Sequence, residues 1–410
     1  MRITTQTYFN TALNGIEQQR SNISQLTQEL ASGQAVNKPS DNPTAFANAQ
    51  RLQANTQALD QLNTDNANLN NQLGLGSQTL SQALSVINNV RSIALQAANA
   101  TTNTANRSAL AKQVQSAKAQ LINIANTKAS NGAYLFGGSS GGVAPFAQQP
   151  NGTVVYRGDG ASEQLHIAPN QSVQGLLSGQ VFSDVRQGNG YASLSATAGN
   201  TGSGVAVLTG VTDVSNATSF RDSPASAAYA ISFASGPSGL TYSVTSGSTG
   251  TVVSTGSFSN GMSLTVPNTG ISLRFDGTPA AGDSFTLSPS HRQSIFDTLD
   301  QLTQALNSPQ STAAQHAQNA QKINAVLSNL DQSQTQILSL QSTVGVATQA
   351  IGHANNTNAA QQTNDKQVIS SALDANIPQV LTALNEHKLA LTAAMGAFGN
   401  LSKLSLFNYL

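Results

Sequence analysis

Apolar residues recur at helical spacing over the first 36 positions. Phe9, Leu13, Ile16, Ile23, Leu26 and Leu30 fall three, four or seven apart, which predicts an amphipathic helix. Lys38-Pro39 then disfavours continuing it, because the residue before a proline is pushed out of the α region. Asn42-Pro43 reads as a cap followed by proline at the first position of a new helix. From there a heptad is sustained. Leu52, Leu59, Asn66, Leu73, Leu80, Ile87 and Ala94 lie seven apart, with Asn55, Leu62, Leu69, Gly76, Ala83, Val90 and Ala97 three further on. The pattern predicts a coiled-coil-like seam in which Asn66 is the polar position that fixes register. At 1.5 Å per residue, positions 43–98 would form a rod of roughly 80 Å. Positions 99–106 read as a turn, and Leu110, Val114, Ala117, Leu121 and Ile124 as a return helix.

The last third repeats the scheme in reverse. Ile295, Leu299, Leu302 and Leu306 predict a short helix, and "NSPQ" reads as a second cap-then-proline start. Ile323, Leu330, Ile337, Val344 and Ile351 then keep strict seven-residue spacing. "LDANIP", ending in Pro378, breaks the run before a terminal helix carrying Val380, Leu384, Leu391, Phe398 and Leu401. The symmetry predicts that the two ends of the chain pair, long helix against long helix and terminal helix against terminal helix. Pro39, Pro43 and Pro378 would mark the joints between tip and rod. The expected division is a helical tip (1–42 with 374–410), a long helical rod (43–137 with 291–373) and an inserted domain (138–290).

Between the helical zones the period changes from 3.6 to 2. "GTVVYRGDG", "EQLHIAP", "YAISFAS", "LTYSVTS", "TVVSTGSF", "MSLTVP", "ISLRFDG" and "DSFTLSP" alternate apolar and polar residues between turn signals. They predict a β-rich sandwich or barrel, with a subdomain boundary expected near 185–190. The fold class is therefore α+β.

Composition narrows the function classes. Charged residues make up 9% of the 410 and the formal net charge is zero, so there is no electrostatic case for nucleic acid or an anionic membrane surface. Cysteine is absent, which excludes disulfides, a thiol nucleophile and thiolate metal sites. The opening "MRITTQTYFN" does not read as a signal peptide, and no apolar run approaches the roughly 20 residues of a spanning helix.

Candidate chemistry is thin. The five histidines are widely spaced and lack partners at metal-ligand spacing. Gly138-Ser139-Ser140-Gly141-Gly142 matches a nucleophile elbow in letters, but it reads as a Gly/Ser linker without the strand–turn–helix context. The run 277–284 places Asp283 where a phosphate loop needs lysine and reads as a β-turn. Arg157 and Asp159 read as a turn pair. Neither catalytic residues nor a cofactor or metal site are expected.

The terminal helices raise a different question, because two helices of this size bury little surface by themselves. Ile3, Phe9, Leu13, Ile16, Ile23, Leu384, Leu391, Phe398, Leu401, Leu404, Leu406, Phe407 and Leu410 are expected to need other chains, and to order on assembly. The rod seam is expected to be satisfied within the chain by Leu52, Leu59, Leu62, Asn66, Leu69, Leu80 and Ile87 against Ile323, Leu330, Ile337, Val344 and Ile351.

The stretches "MRITTQTYFN", "LASGQAVNKPSDNPTAFANA", "ANTKASNGAYLFGG" and "LSKLSLFNYL" resemble the flagellin-like axial proteins of bacterial flagella. Within that superfamily they are similar to the hook-associated proteins of the FlgL type, at the hook–filament junction. The resemblance covers about 1–140 and 291–410 and implies a structural, non-enzymatic role. It implies assembly through the terminal helices with copies of itself in a ring, and contact with the first hook-associated protein and flagellin. It also implies passage through the type III export apparatus, a chaperone on the C-terminal helix, and an extracellular place in the flagellum. A small flagellin, or a surface adhesin or coiled-coil adaptor with a β head, are the competing readings.

Overall fold

The computed structural model describes residues 5–99, 103–161, 164–175 and 177–403, with backbone alone for 5, 6 and 401–403. Helix α1 (Thr5–Ser32) ends earlier than the proline spacing predicts. Gly33 follows with φ of 72°, the left-handed conformation that closes helices and that glycine adopts without a Cβ penalty. Its amide donates to the Glu29 carbonyl at 2.8 Å. Pro39 therefore sits in the connecting turn and does not end the helix. The Asp41 carboxylate holds that turn by accepting from the amides of Asn37 (3.0 Å) and Lys38 (3.1 Å). Helix α2 (Pro43–Ala98) opens with Asn42 Oδ1 accepting from the Ala45 amide at 3.1 Å. Helix α3 (Thr104–Ala125) opens on Asn103, whose side chain accepts from the Asn106 amide.

The segment after α3 is a set of short ribbons, not a linker. It contains β1 (Phe146–Gln148) and β2 (Val154–Tyr156), which pair antiparallel, then β3 (Gln164–Ala168), β4 (Gln171–Gln174), the single-turn α4 (Gln180–Ser183) and β5 (Val185–Arg186). Phe136 and Phe182 are fully buried and meet edge-on at 5.2 Å between centroids. The Gly/Ser run is pinned by Asp159, which accepts from the Ser139 hydroxyl and from its amide at 2.8 Å. These hydrogen bonds, the hydroxyl's above all, hold the Asp159 carboxyl below the usual carboxylate range. The expected Arg157–Asp159 pair gives way to Ser139 because the backbone turn brings the serine, not the arginine, to the carboxylate.

Beyond β5 lie β6 (Ala192–Ala196), β7 (Val205–Val211), α5 (Val214–Arg221) and a 3-10 turn at Ala225–Ala227. β8 (Tyr229–Gly236), β9 (Gly239–Ser246), β10 (Val252–Ser257), β11 (Ser263–Val266), β12 (Ile271–Asp276), β13 (Ser284–Pro289) and β14 (Arg292–Gln293) complete the β zone. A five-stranded antiparallel sheet, ordered β10-β9-β8-β13-β6, faces a three-stranded sheet ordered β11-β12-β7. Inward positions of both sheets form one core in which Phe233, Phe275 and Phe285 pack edge-to-face at 5.3 to 6.1 Å, the arrangement aromatic quadrupoles favour. β5 pairs with β14, so the chain enters and leaves the sandwich side by side.

The run 277–283 contains a β-turn, the Asp283 amide donating to the Ala280 carbonyl at 3.0 Å, but the strands it joins, β12 and β13, belong to different sheets, so it closes no hairpin. It carries the chain across the sandwich, and buried Asp283 secures it by accepting from the amides of Thr201 (2.7 Å), Gly202 (3.0 Å) and Ala280 (2.8 Å).

Helix α6 (Ile295–Asn307) follows, capped by Ser294. Helix α7 (Ala313–Leu373) does not open on the "NSPQ" signal. It opens after Thr312, whose hydroxyl accepts from the Gln315 amide at 3.2 Å while Gln315 Oε1 accepts from the Ser311 amide at 2.7 Å. This reciprocal cap outcompetes the proline signal, and Pro309 merely follows the end of α6. Helix α8 (Ile377–Lys403) completes the described chain. No helix among the described residues is long and apolar enough to cross a membrane.

Two compact units result. One comprises the described residues of 1–66, 167–169 and 352–410; the other comprises those of 67–166 and 170–351. In the second unit Leu73, Leu80 and Ile87 of α2, Leu110, Val114 and Leu121 of α3, and Ile323, Leu330 and Ile337 of α7 are buried. Each such side chain contributes about 1.5–3 kcal/mol relative to exposure. Gly76 stands on the α2 seam where a Cβ would lie 2.4 Å from Leu177 Cδ1, so its smallness lets the ribbon segment close onto the helix. Polar cross-links fix the antiparallel register of α2 and α7 in this unit: Arg91 Nε to Asp331 at 2.8 Å and Gln341 Nε2 to Ser81 at 2.7 Å. Lys118 of α3, almost buried, donates to both oxygens of Asp300 of α6 at 2.7 Å.

Replacing Asp283 by alanine leaves three amides without their acceptor. The sandwich should lose about 1–3 kcal/mol, since the donors left unmet are only partly buried. Urea denaturation of the full chain checks this, and an unchanged midpoint would contradict it.

Candidate assembly interface

The first unit is built from the two ends of the chain, and polar side chains lace it together. Along α2 and α7, Asn55 Nδ2 donates to Asp365 at 2.6 Å and Gln362 Nε2 to Asp60 at 2.7 Å. Asn358 Nδ2 donates to Asn63 at 3.1 Å, and Asn66 Nδ2 to Asn355 at 2.8 Å. Positions rise on one helix as they fall on the other, so the pair is antiparallel. Asn66 and Asn358 also donate to the Ile167 carbonyl, at 2.9 and 3.3 Å, and tie that strand residue to the seam. Asn66, Asn358 and Asp365 are all but fully buried. The seam thus carries a ladder of polar rungs where the heptad reading expects one.

Beyond the seam the connecting segments are zipped by backbone. The Ala35 amide donates to the Leu373 carbonyl at 2.7 Å and the Ala375 amide to the Gly33 carbonyl at 2.9 Å. Gln34 and Asp374 form an antiparallel bridge. α1 and α8 continue the antiparallel pairing: His387 Nδ1 lies 2.6 Å from Gln19 Oε1, and the Phe9 and Phe398 rings meet at 4.7 Å.

This terminal pair is poorly covered. No described side chain of α1 is buried, and in α8 Val380 and Leu384 alone are. Tyr8, Ile377, Leu381, Leu389 and Met395 stand exposed, Leu389 at 73%. The terminal pair thus exposes several large apolar side chains among its described residues.

The residues singled out by the sequence distribute as follows. Leu13, Ile16, Ile23, Leu391 and Phe398 are half-buried, Phe9 is 42% exposed, and Leu384 is buried. Ile3, Leu404, Leu406, Phe407 and Leu410 lie outside the described residues, and Leu401 is described as helical backbone alone. In the first unit Leu59 and Asn66 are buried, while Leu52 and Leu62 are half-buried. In the second, Leu69, Leu80, Ile87, Ile323, Leu330, Ile337, Val344 and Ile351 are all buried. Pro39, Pro43 and Pro378 are exposed, Pro378 within the first turn of α8. Heptad counting missed Tyr8, Ile377, Leu381, Leu389 and Met395 because it selects the stripe facing the partner helix. The signal available was their apolar character at positions off that stripe. No group of three His, Asp or Glu side chains able to hold a metal occurs among the described residues.

Residues 3–141 match the profile of the bacterial flagellin N-terminal helical region. The chain is 28% identical over 185 residues to the flagellar hook-associated protein 3 of Salmonella typhimurium, covering 45% of this chain and 58% of that protein. It therefore spans little more than half the length of the curated relative it matches. The crystal structure of FlgL from Xanthomonas campestris superposes with a TM-score of 0.65 at 29% identity, over 76% of this chain and 99% of that one. The flagellar junction protein FlgL from Legionella pneumophila gives 0.69 at 25% identity, over 80% of this chain and 100% of that one. These similarities are to flagellin-like proteins of the flagellum, in keeping with the α+β fold described above. Within that class the similarity is to proteins of the FlgL type, to which hook-associated protein 3 corresponds.

Two measurements follow from this geometry. Amide exchange in α1 and α8 should proceed through openings of much lower free energy than in α2 around Leu80 to Ala94, since exposed helices with few buried contacts open locally. Asn66→Ala should cost about 1–3 kcal/mol by withdrawing a donor from the buried Ile167 carbonyl and from the half-buried Asn355. Uniform exchange along the helices, or a neutral alanine variant, would contradict the assignment.

Proposed function

We propose that this chain is a structural subunit of the bacterial flagellum that joins the hook side of the axis to the filament, self-assembling through its terminal helices. One observation carries the reading: α1 and α8 pair with each other yet leave Tyr8, Leu381, Leu389 and Met395 exposed, a surface that neighbouring subunits would bury. Both the Salmonella relative, named for the hook, and the Legionella neighbour, named for the junction, support it. In this reading Ile3, Phe9, Leu13, Ile16, Ile23, Leu384, Leu391, Phe398, Leu401, Leu404 and Phe407 belong to the assembling tip. The seam from Leu52 to Ile87 and from Ile323 to Ile351 keeps each subunit's two arms in register. Residues 138–290 are the β-rich insertion between the two helical arms.

The role is mechanical and needs no catalysis. Its partners are other copies in a ring, the first hook-associated protein and flagellin. An export chaperone reads the C-terminal helix, and the chain leaves through the type III apparatus to an extracellular site. The connecting turns around Pro39, Pro43 and Pro378 act as joints, because a handful of backbone hydrogen bonds holds them and small changes of angle there leave the seams intact.

Deleting the gene in its motile host and imaging cells and medium by electron microscopy tests the reading. Hooks without filaments, with flagellin shed into the medium, are expected, and intact filaments would overturn it. Phe398→Asp should abolish filament growth while the purified variant keeps its sandwich folded, as checked by circular dichroism. Filaments of normal length from that variant would remove the terminal helices from the interface.

A further inference from the structure

Arg107 presents a charge without a counter-charge. It lies in the first turns of α3, is 5% exposed, and takes part in none of the ion pairs among the described residues. Its partners are neutral: Nη1 donates to Gln310 Oε1, and Nη2 reaches the Ser308 carbonyl at 3.4 Å. Nε is buried with no hydrogen-bond partner. Eleven positions along the same helix, Lys118 is buried to the same degree but has the Asp300 carboxylate at 2.7 Å.

Three physical arguments converge on what is missing. A buried cation without an anion is costly, and an orphaned guanidinium N–H adds to that cost. The positive end of a helix is the wrong place for a cation, since the N-terminal amides already favour negative charge. Arg107 also lines a cavity of about 430 Å³ whose other walls include Thr104, Ser108, Asn307, Ser308 and Ser311. Hydroxyls and an amide around a guanidinium fork are the donor set that oxyanions select.

We infer that this cavity, between the start of α3 and the 307–311 turn, is an oxyanion-binding site with Arg107 as its anchor. The ligand chemistry is a small tetrahedral or planar oxyanion. It is supplied either by free phosphate or by a carboxylate of a second copy of this chain. Bound there, the anion would accept from the lining hydroxyls of Thr104, Ser108 and Ser311, and its charge would neutralise the guanidinium beside it that the fold leaves uncompensated.

Thermal unfolding of the full chain in sodium phosphate against sodium chloride, at matched ionic strength, tests this. A saturable rise in Tm specific to phosphate is expected. It should be lost in Arg107→Gln and weakened about tenfold or more in affinity in Arg107→Lys, which keeps the charge but not the fork. Ser108→Glu, which sets a carboxylate beside the cavity, should raise Tm in chloride and remove the phosphate response. That variant keeps the test decisive if Arg107→Gln fails to fold. If the natural anion is a second copy's carboxylate, sedimentation should show self-association that Arg107→Gln abolishes and phosphate competes away. A phosphate effect that persists in Arg107→Gln would overturn the site. So would the absence of both a phosphate response and Arg107-dependent association.

Discussion

The constraint on which the structure depends is that each helical seam must be assembled from opposite ends of one chain. Asn55 and Asp365 are 310 positions apart when they meet. Closing so long a loop costs conformational entropy, although that cost grows only slowly with length. The return is architectural. Because the arms leave and come back side by side, everything between them can be inserted without disturbing the pairing. The β5–β14 ladder applies the same device a second time, holding the two crossings into the sandwich together. Such non-local pairing is intrinsically slow to form, which suits a chain that the proposed export route would carry unfolded.

How the seams are written explains the unusual composition. With few charges, the chain specifies register through amides and hydroxyls, whose hydrogen bonds demand geometry as much as proximity. Asn66 meets both Asn355 and the Ile167 carbonyl, so a slip of one heptad would strand several buried polar groups at once. A purely apolar seam would bind as tightly in more than one register. The second unit relies more on buried leucine and isoleucine, with ion pairs at its margin. The two units therefore solve the same problem with different chemistry, the polar solution lying nearer the ends of the chain.

The terminal pair stands apart in energetic character. It has the periodicity of a buried element and the exposure of a surface one. Such a combination is stable only where something else supplies the missing contacts. In the proposed function that something is the next subunit, and marginal order in the free chain is then part of how assembly is kept from starting early.

Much of this was written in the sequence. Heptads at Leu59, Leu80, Ile87, Leu330 and Ile337, and alternation through "YAISFAS" and "ISLRFDG", determine helix and strand by themselves, because side-chain period follows backbone geometry. The stretches "SDNPTAFANA" and "NGAYLFGG" carry the resemblance to flagellin-like proteins. Other features were decided by tertiary structure alone. Gly33 took precedence over Pro39 in ending α1, and Thr312 over Pro309 in starting α7, since a local cap wins where its hydrogen bonds can close. Asp159 found Ser139, and Asp283 found Thr201 and Gly202, because partners that far away in sequence are chosen by folding and not by spacing. Which apolar residues remain uncovered, and which arginine is buried without an anion, depends on what the fold brings near them, and no periodicity encodes that.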